Sequence, residues 1–122
     1  MELNIDPPTH SMIIRSYEPG ALIVNDRTLT HSVALTPDHL IPFSADTFSE
    51  LTQKQLECLD ITGIQVILIG TGAQMHPVPL AWYAPWLQQR IGVEVMSTAA
   101  ACRTFTLLAA EKRKVLAVLL IK

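Results

Sequence analysis

Two hydrophobic rhythms divide the chain. Over residues 12–43 the apolar positions come in short runs broken by turn-forming residues. Residues 12–17 lead into Glu18-Pro19-Gly20 and residues 21–24 into Asn25-Asp26, which predicts a β-hairpin. From Arg27 to Leu35 the residues alternate. Leu29, His31, Val33 and Leu35 fall on one side and Thr28, Thr30, Ser32 and Ala34 on the other, as in a strand with one wet face. Thr36-Pro37-Asp38 ends that run, and Leu40-Ile41-Pro42-Phe43 reads as another short extended piece.

Beyond Leu51 the period lengthens. Thr52 with Gln55 has the form of a capping box, Leu51, Leu56 and Leu59 with Cys58 supply an apolar side, and Gly63 closes this short helix. Residues 64–69 are a near-continuous apolar run ended by Gly70-Thr71-Gly72, as expected of a strand buried on both faces. A second helix is predicted over 79–90, with Leu80, Tyr83 or Ala84, Leu87 and Ile91 as its stripe and Gly92 as its stop; Pro85 must kink or split it. Residues 93–96 form the next strand. Ser97-Thr98 then caps a third helix whose apolar set is Ala101, Cys102, Phe105, Leu108 and Ala109, and residues 115–121 form a last, very apolar strand. Strands followed by an αβαβαβ order predict a layered α/β sheet. Its strands should be parallel where a helix crosses over, with helices on both faces and an antiparallel hairpin region at one side.

Composition narrows the class. A length of 122 residues predicts one domain spanning 1–122, large enough to remove about two thirds of its surface from water on folding. Hydrophobic residues make up 49% and charged residues 16%, and eleven acidic against nine basic side chains leave a net charge of −2. No apolar run approaches the roughly 20 residues of a spanning helix, so membrane insertion is not expected. Nucleic acid is not expected as a partner either, because the basic residues cluster only at Lys112-Arg113-Lys114. Residues 1–11 lack a basic start followed by an apolar stretch, which predicts a cytoplasmic protein. Cys58 and Cys102 are then expected as free thiols, each buried as a small hydrophobe.

Candidate chemistry is sparse. Gly70-Thr71-Gly72 follows a strand but lacks the third glycine of a dinucleotide fingerprint. It reads as a tight loop allowing close backbone approach, or as a ligand contact at a strand's carboxyl end. The helix start at Ser97-Thr98, with Arg103 one turn on, reads either as plain capping or as an anion site. His10, His31, His39 and His76 are spaced too widely for a metal, neither cysteine has a marked activating neighbour except Arg103, and Asp60, Glu94 and Glu111 form no carboxylate pair. No cofactor, metal or catalytic residue is therefore expected. Trp82, Tyr83 and Trp86 cluster around Pro85. The two indoles share a helical face distinct from the predicted stripe, so they either pack on the domain's own loops or form a partner-binding or self-association surface.

The segment Ile67-Leu68-Ile69-Gly70-Thr71-Gly72, then Gly92-Val93-Glu94-Val95-Met96-Ser97-Thr98 running on through Ala101-Cys102-Arg103-Thr104-Phe105, then Leu107-Leu108-Ala109-Ala110-Glu111, resembles the family that contains mitochondrial complex I assembly factor three, its bacterial relatives and an adipogenesis-associated domain protein. The resemblance covers essentially the whole chain. It implies a three-layer α/β fold with a central mixed sheet in a small, often self-associating domain. The characteristic positions here are Gly70, Gly72, Met96, Thr98, Ala101, Arg103, Thr104 and Glu111. Thr106 stands where relatives usually carry asparagine, and Lys112 where they carry glycine, which makes a tight left-handed turn after Glu111 less expected.

The reading that results is a non-enzymatic binding or assembly module. It would act on a protein partner, or on itself, through a hydrophobic surface including Trp82, Tyr83 and Trp86. The alternative is a small-molecule anion site, or a weak enzyme, between the Gly70-Thr71-Gly72 loop and the helix starting at Thr98, with Arg103 as anion anchor and Glu111 as a further candidate.

Overall fold

A computed structural model describes residues 11–122; residues 1–10, including His10 and most of the stretch read above for a leader, lie outside the described residues. Strands β1 (Ile14–Glu18) and β2 (Ala21–Val24) form the expected hairpin, and Gly20 takes the left-handed turn position at φ +94°. Strand β3 (Arg27–Leu29) adds to β2 across a second turn, where Asn25 sits at φ 56°. The Asn25 side chain accepts from the Ile13 amide and donates to the Ser11 carbonyl, both at 3.0 Å.

The single wet-faced strand predicted over 27–35 does not form. It splits into β3 and β4 (Val33–Leu35), which belong to different sheets. Ser32 is the reason. Its amide donates to Asp46 Oδ1 at 3.0 Å and its hydroxyl accepts from the Ile121 amide at 2.8 Å, so a residue expected in solvent is fully buried. Val33, Ala34 and Leu35 are then all buried and β4 has no wet face.

The main sheet runs β5 (Leu40–Pro42), β4, β8 (Val115–Leu119), β6 (Val66–Gly70), β7 (Gly92–Met96). β5, β4 and β8 pair antiparallel, whereas β8, β6 and β7 pair parallel, as the helical crossovers predict. Helix α3 (Thr98–Ala110) and the three-stranded sheet cover one face; α1 (Gln53–Glu57) and α2 (Ala84–Gln88) cover the other. The predicted three-layer arrangement is thus present.

The C-terminal strand shows why its sequence is so apolar. Val115, Ala117, Leu119 and Ile121 enter the core under α3, and Leu116, Val118 and Leu120 enter the opposite one. Burying each leucine, isoleucine or valine contributes about 1.5–3 kcal/mol, so this strand ties both cores together. The α3 stripe enters the first core as predicted, through Ala101, Cys102 and Phe105 with Leu108 and Ala109 beside them.

Helix α1 carries its capping box, the Thr52 hydroxyl accepting from the Gln55 amide at 3.2 Å and Gln55 Oε1 accepting from the Thr52 amide at 2.8 Å. It ends at Glu57, before Gly63. With one turn and a half of helix only Leu56 is fully buried, and Cys58 is exposed instead of packed inside.

Candidate functional site

The carboxyl ends of β6 and β7 meet the start of α3, and here the two motifs singled out in the sequence come together. Gly70 lies so close to α3 that a methyl group on it would sit 2.9 Å from Thr98 Cα and 3.1 Å from Ala101 Cβ. Gly72 is left-handed, at φ +108°, against the backbone of Lys122. Ser97 is the N-cap, its hydroxyl accepting from the Ala100 amide at 3.2 Å. Thr98, one place on, is wholly buried.

Among the described residues, the buried polar side chains at this junction have partners within the chain. The Thr98 hydroxyl accepts from the Gly72 amide at 2.8 Å and donates to the Leu120 carbonyl at 2.7 Å. The Thr98 amide donates to the Gly72 carbonyl at 2.9 Å, and the Leu120 amide to the Gly70 carbonyl at 3.0 Å. Thr71 is also buried. Its amide donates to the Met96 carbonyl at 2.9 Å, and its hydroxyl donates to the Gln74 carbonyl and accepts from the His76 amide, both at 2.9 Å. The His76 ring stacks on Phe48 at 4.8 Å. The glycines therefore serve close backbone approach, and the arrangement is a clamp joining β6, α3 and the end of β8.

Arg103 and Glu111 do not join this group. Five residues at about 100° each turn Arg103 roughly 140° away from Thr98 around the helix, and it is exposed. Glu111 is the C-cap at the far end, about 20 Å from Thr98 along a thirteen-residue helix. Thr106 is exposed and returns its hydroxyl to the Cys102 carbonyl at 3.0 Å. The left-handed turn that Lys112 was expected to disfavour is nevertheless present. Lys112 lies at φ 63°, its amide bonds the Ala109 carbonyl and the Arg113 amide bonds the Leu108 carbonyl, the paired bonds of a Schellman motif. A cation at a helix's carboxyl end meets a favourable dipole, which offsets part of the strain.

The segment around Pro85 departs most from its predicted stripe. A 3₁₀ turn (Leu80–Trp82) precedes α2, which holds Pro85 in its first turn and stops at Gln88, with Arg90 left-handed at φ 65° in place of a stop at Gly92. A 3₁₀ turn advances 120° per residue and the helix restarts at Pro85, so a stripe counted at 100° across both segments has the wrong phase. Trp86, at 6% exposure, and Ile91 are buried, Trp82 and Tyr83 are half-buried against the same core, and Leu80 and Leu87 are 61% and 43% exposed. The core absorbs the tryptophans, and the leucines form the outer surface. Pro85, taken as a restart and not as a kink, was the signal available for this.

Helix α2 packs against β7, the outermost strand. The Gly92 amide and the Met96 carbonyl point inward to Gln65 and Thr71, so by alternation Val93 and Val95 turn their backbone groups to the outer edge.

Burial pushes the Cys102 thiol up to about 12, the Arg103 charge opposing this only weakly, so it is no nucleophile at neutral pH. Among the described residues no three His, Cys, Asp or Glu side chains converge as metal ligands would, and no helix is long and apolar enough to cross a membrane.

Comparison with known proteins agrees with the resemblance seen in the residues. The family described as a protein of unknown function (DUF498/DUF598) matches residues 14–120. The chain is 28% identical over 110 residues to NADH dehydrogenase [ubiquinone] 1 alpha subcomplex assembly factor 3 of Danio rerio, a match covering 88% of this chain and 63% of that protein. It thus spans less than two thirds of that relative's length. A 13 kDa major membrane protein of Francisella tularensis is 26% identical, with 85% of this chain and 86% of that one covered. The crystal structure of a Bordetella parapertussis protein superposes with a TM-score of 0.83 at 30% identity, covering 95% of this chain and all of that one.

Proposed function

The chain belongs to the DUF498/DUF598 family of proteins of unknown function, and from that premise we propose that it is a non-enzymatic binding or assembly module engaging a protein partner. The observation carrying this reading is the apolar surface of the Pro85 segment. Leu80 and Leu87 stand largely in solvent on a segment that packs beside the edge strand β7. Exposed leucines next to backbone groups left unpaired among the described residues suit an added strand or helix of another protein. The name of the Danio rerio relative, an assembly factor, is consistent with such a partner. Trp82 and Tyr83 border this surface, and Trp86 supports it from the core. The proposal places the protein in the cytoplasm, where an exposed free thiol such as that of Cys58 persists.

Leu80→Glu with Leu87→Glu tests this reading, since both side chains are outside the core. Affinity purification from the native cell should recover the wild-type partner at least tenfold better than the variant, with Tm changed by about 1 °C or less. A variant that retained its partner would overturn the proposal. A concentration-dependent mass lost in the variant would make the partner a second copy of the chain.

A further inference from the structure

Helix α3 is the longest helix of the described residues, and its outer face is apolar where water would favour charge. Arg103 is its one charged side chain, and Glu111 follows as the C-cap. Neither takes part in the Thr98 clamp. Leu107 stands midway between them, 65% exposed and part of neither core. Its exposed neighbours Thr106 and Ala110 are short. The threonines bring no spare donor, because the Thr104 hydroxyl donates to the Ala100 carbonyl at 2.9 Å and the Thr106 hydroxyl to the Cys102 carbonyl at 3.0 Å. The result is a narrow apolar ridge with a cation at one end and a carboxylate at the other.

The ridge is complementary to itself. Arg103, Leu107 and Glu111 are spaced by four, so each is turned only about 40° from the one before and lies about 6 Å further along the helix. Rows of this i, i+4 kind interlock in the commonest class of helix packing, at a crossing angle of about −50°. When two such ridges run antiparallel about a two-fold axis at Leu107, the leucines meet at the centre. Position 103 of each copy then lies opposite position 111 of the other, so a guanidinium faces a carboxylate at both ends. The same pattern selects the register. An axis one turn earlier sets Arg103 against Arg103, an axis one turn later sets Glu111 against Glu111, and parallel ridges in register oppose like charges at both ends. Of these arrangements, the one centred on Leu107 alone pairs all four charges.

We propose that the outer face of α3 is a homodimer interface whose occupant is the α3 of a second copy of this chain, centred on Leu107 and closed at each end by Arg103 of one copy against Glu111 of the other. The contact is small. One pair of crossed helices buries less than the roughly 1,200 Å² at which stable interfaces begin, and exposed ion pairs set register more than affinity. The dimer is accordingly weak, with a Kd of about 0.1–1 mM. The proposal does not rest on the partner surface around Leu80 and Leu87, which lies on the other face of the sheet, over the second core.

Charge exchange tests it. In sedimentation velocity of the full chain between about 10 µM and about 1 mM, the average mass should rise toward that of a dimer. Salt at about 0.5 M should reduce the rise, because the ion pairs are exposed. Arg103→Glu alone and Glu111→Arg alone should each weaken association at least tenfold, since either change opposes like charges at both ends of the ridge. An equimolar mixture of these two variants should associate as the wild type does, the acidic ridge of one facing the basic ridge of the other, and the chain carrying both exchanges should dimerise again. Leu107→Glu should abolish association with Tm changed by about 1 °C or less, as for an exposed position. The inference is overturned by a constant mass up to the highest concentration, by wild-type association of either single variant or of Leu107→Glu, or by a mixture that fails to associate. Association lost in Leu80→Glu with Leu87→Glu would also overturn it, moving the contact to α2.

Discussion

The amide of Gly72 donates to the hydroxyl of Thr98 at 2.8 Å, and the amide of Thr98 donates back to the carbonyl of Gly72 at 2.9 Å. This reciprocal pair joins the end of a central strand to the first residue of α3, and the same hydroxyl reaches on to Leu120. Thr98→Val keeps the shape and removes the hydroxyl, leaving the Gly72 N–H and the Leu120 C=O buried without a partner. The expected loss is about 2–4 kcal/mol, a fall in Tm of about 10 °C. Thr98→Ser keeps both bonds and should lose only about 1 kcal/mol for the methyl group. Urea denaturation of both variants checks this, and equal losses would mean that packing and not hydrogen bonding is what Thr98 supplies.

A second prediction concerns the contact that brings those groups together. An alanine methyl at position 70 would lie 2.9 Å from Thr98 Cα, which is backbone and cannot swing aside. Gly70→Ala should therefore push α3 from β6 and cost about 1–3 kcal/mol. Gly92→Ala is the matched control. Its methyl would meet its nearest neighbour at 3.8 Å, and a reduced entropy of the unfolded chain should stabilise the protein by up to about 1 kcal/mol. Thermal melts of the pair should move in opposite directions.

The Pro85 segment exchanges the roles first suggested by its periodicity, and mutation should show it. Trp86→Ala opens a cavity in the second core and should cost about 3–5 kcal/mol, whereas Leu87→Ala should stay within about 0.5 kcal/mol. A larger loss at Leu87 than at Trp86 would mean that Leu87, not Trp86, faces the core.

What could be read from residues alone follows from how local each determinant is. The apolar runs 64–69 and 115–121, the capping box at Thr52 and Gln55 and the α3 stripe rest on neighbouring residues, and each forms within two residues of where the pattern sets it. Ser32 was misplaced because its burial depends on Asp46 and Ile121, 14 and 89 positions away. The stripe through Leu80 and Leu87 has the wrong phase because one helical period was carried across a 3₁₀ turn and a proline. The pairing of Gly72 with Thr98 spans 26 residues. Its members were legible as a glycine loop and a helix start, but that they satisfy each other is a property of the assembled sheet.

The two thiols should behave as differently as their surroundings. Cys58 is exposed and should react at once with an aromatic disulfide reagent in the native state, while buried Cys102 should react only on unfolding. Burial raises the Cys102 thiol from an ordinary 9.0 to about 12, and burial followed by the nearby Cys102 also raises Tyr17 from 10.0. In both cases the native state holds its proton more tightly than the unfolded chain. The Cys102 contribution to stability is thus complete below pH 9 and lost as pH climbs through about 12, and that of Tyr17 is complete below 10.0 and lost at higher pH. Urea midpoints measured at rising pH should hold steady to about 9 and then decline, and Cys102→Ala should flatten the decline without abolishing it, because Tyr17 remains. An unchanged alkaline slope in that variant would mean that the thiolate is tolerated in the core, against the desolvation argument.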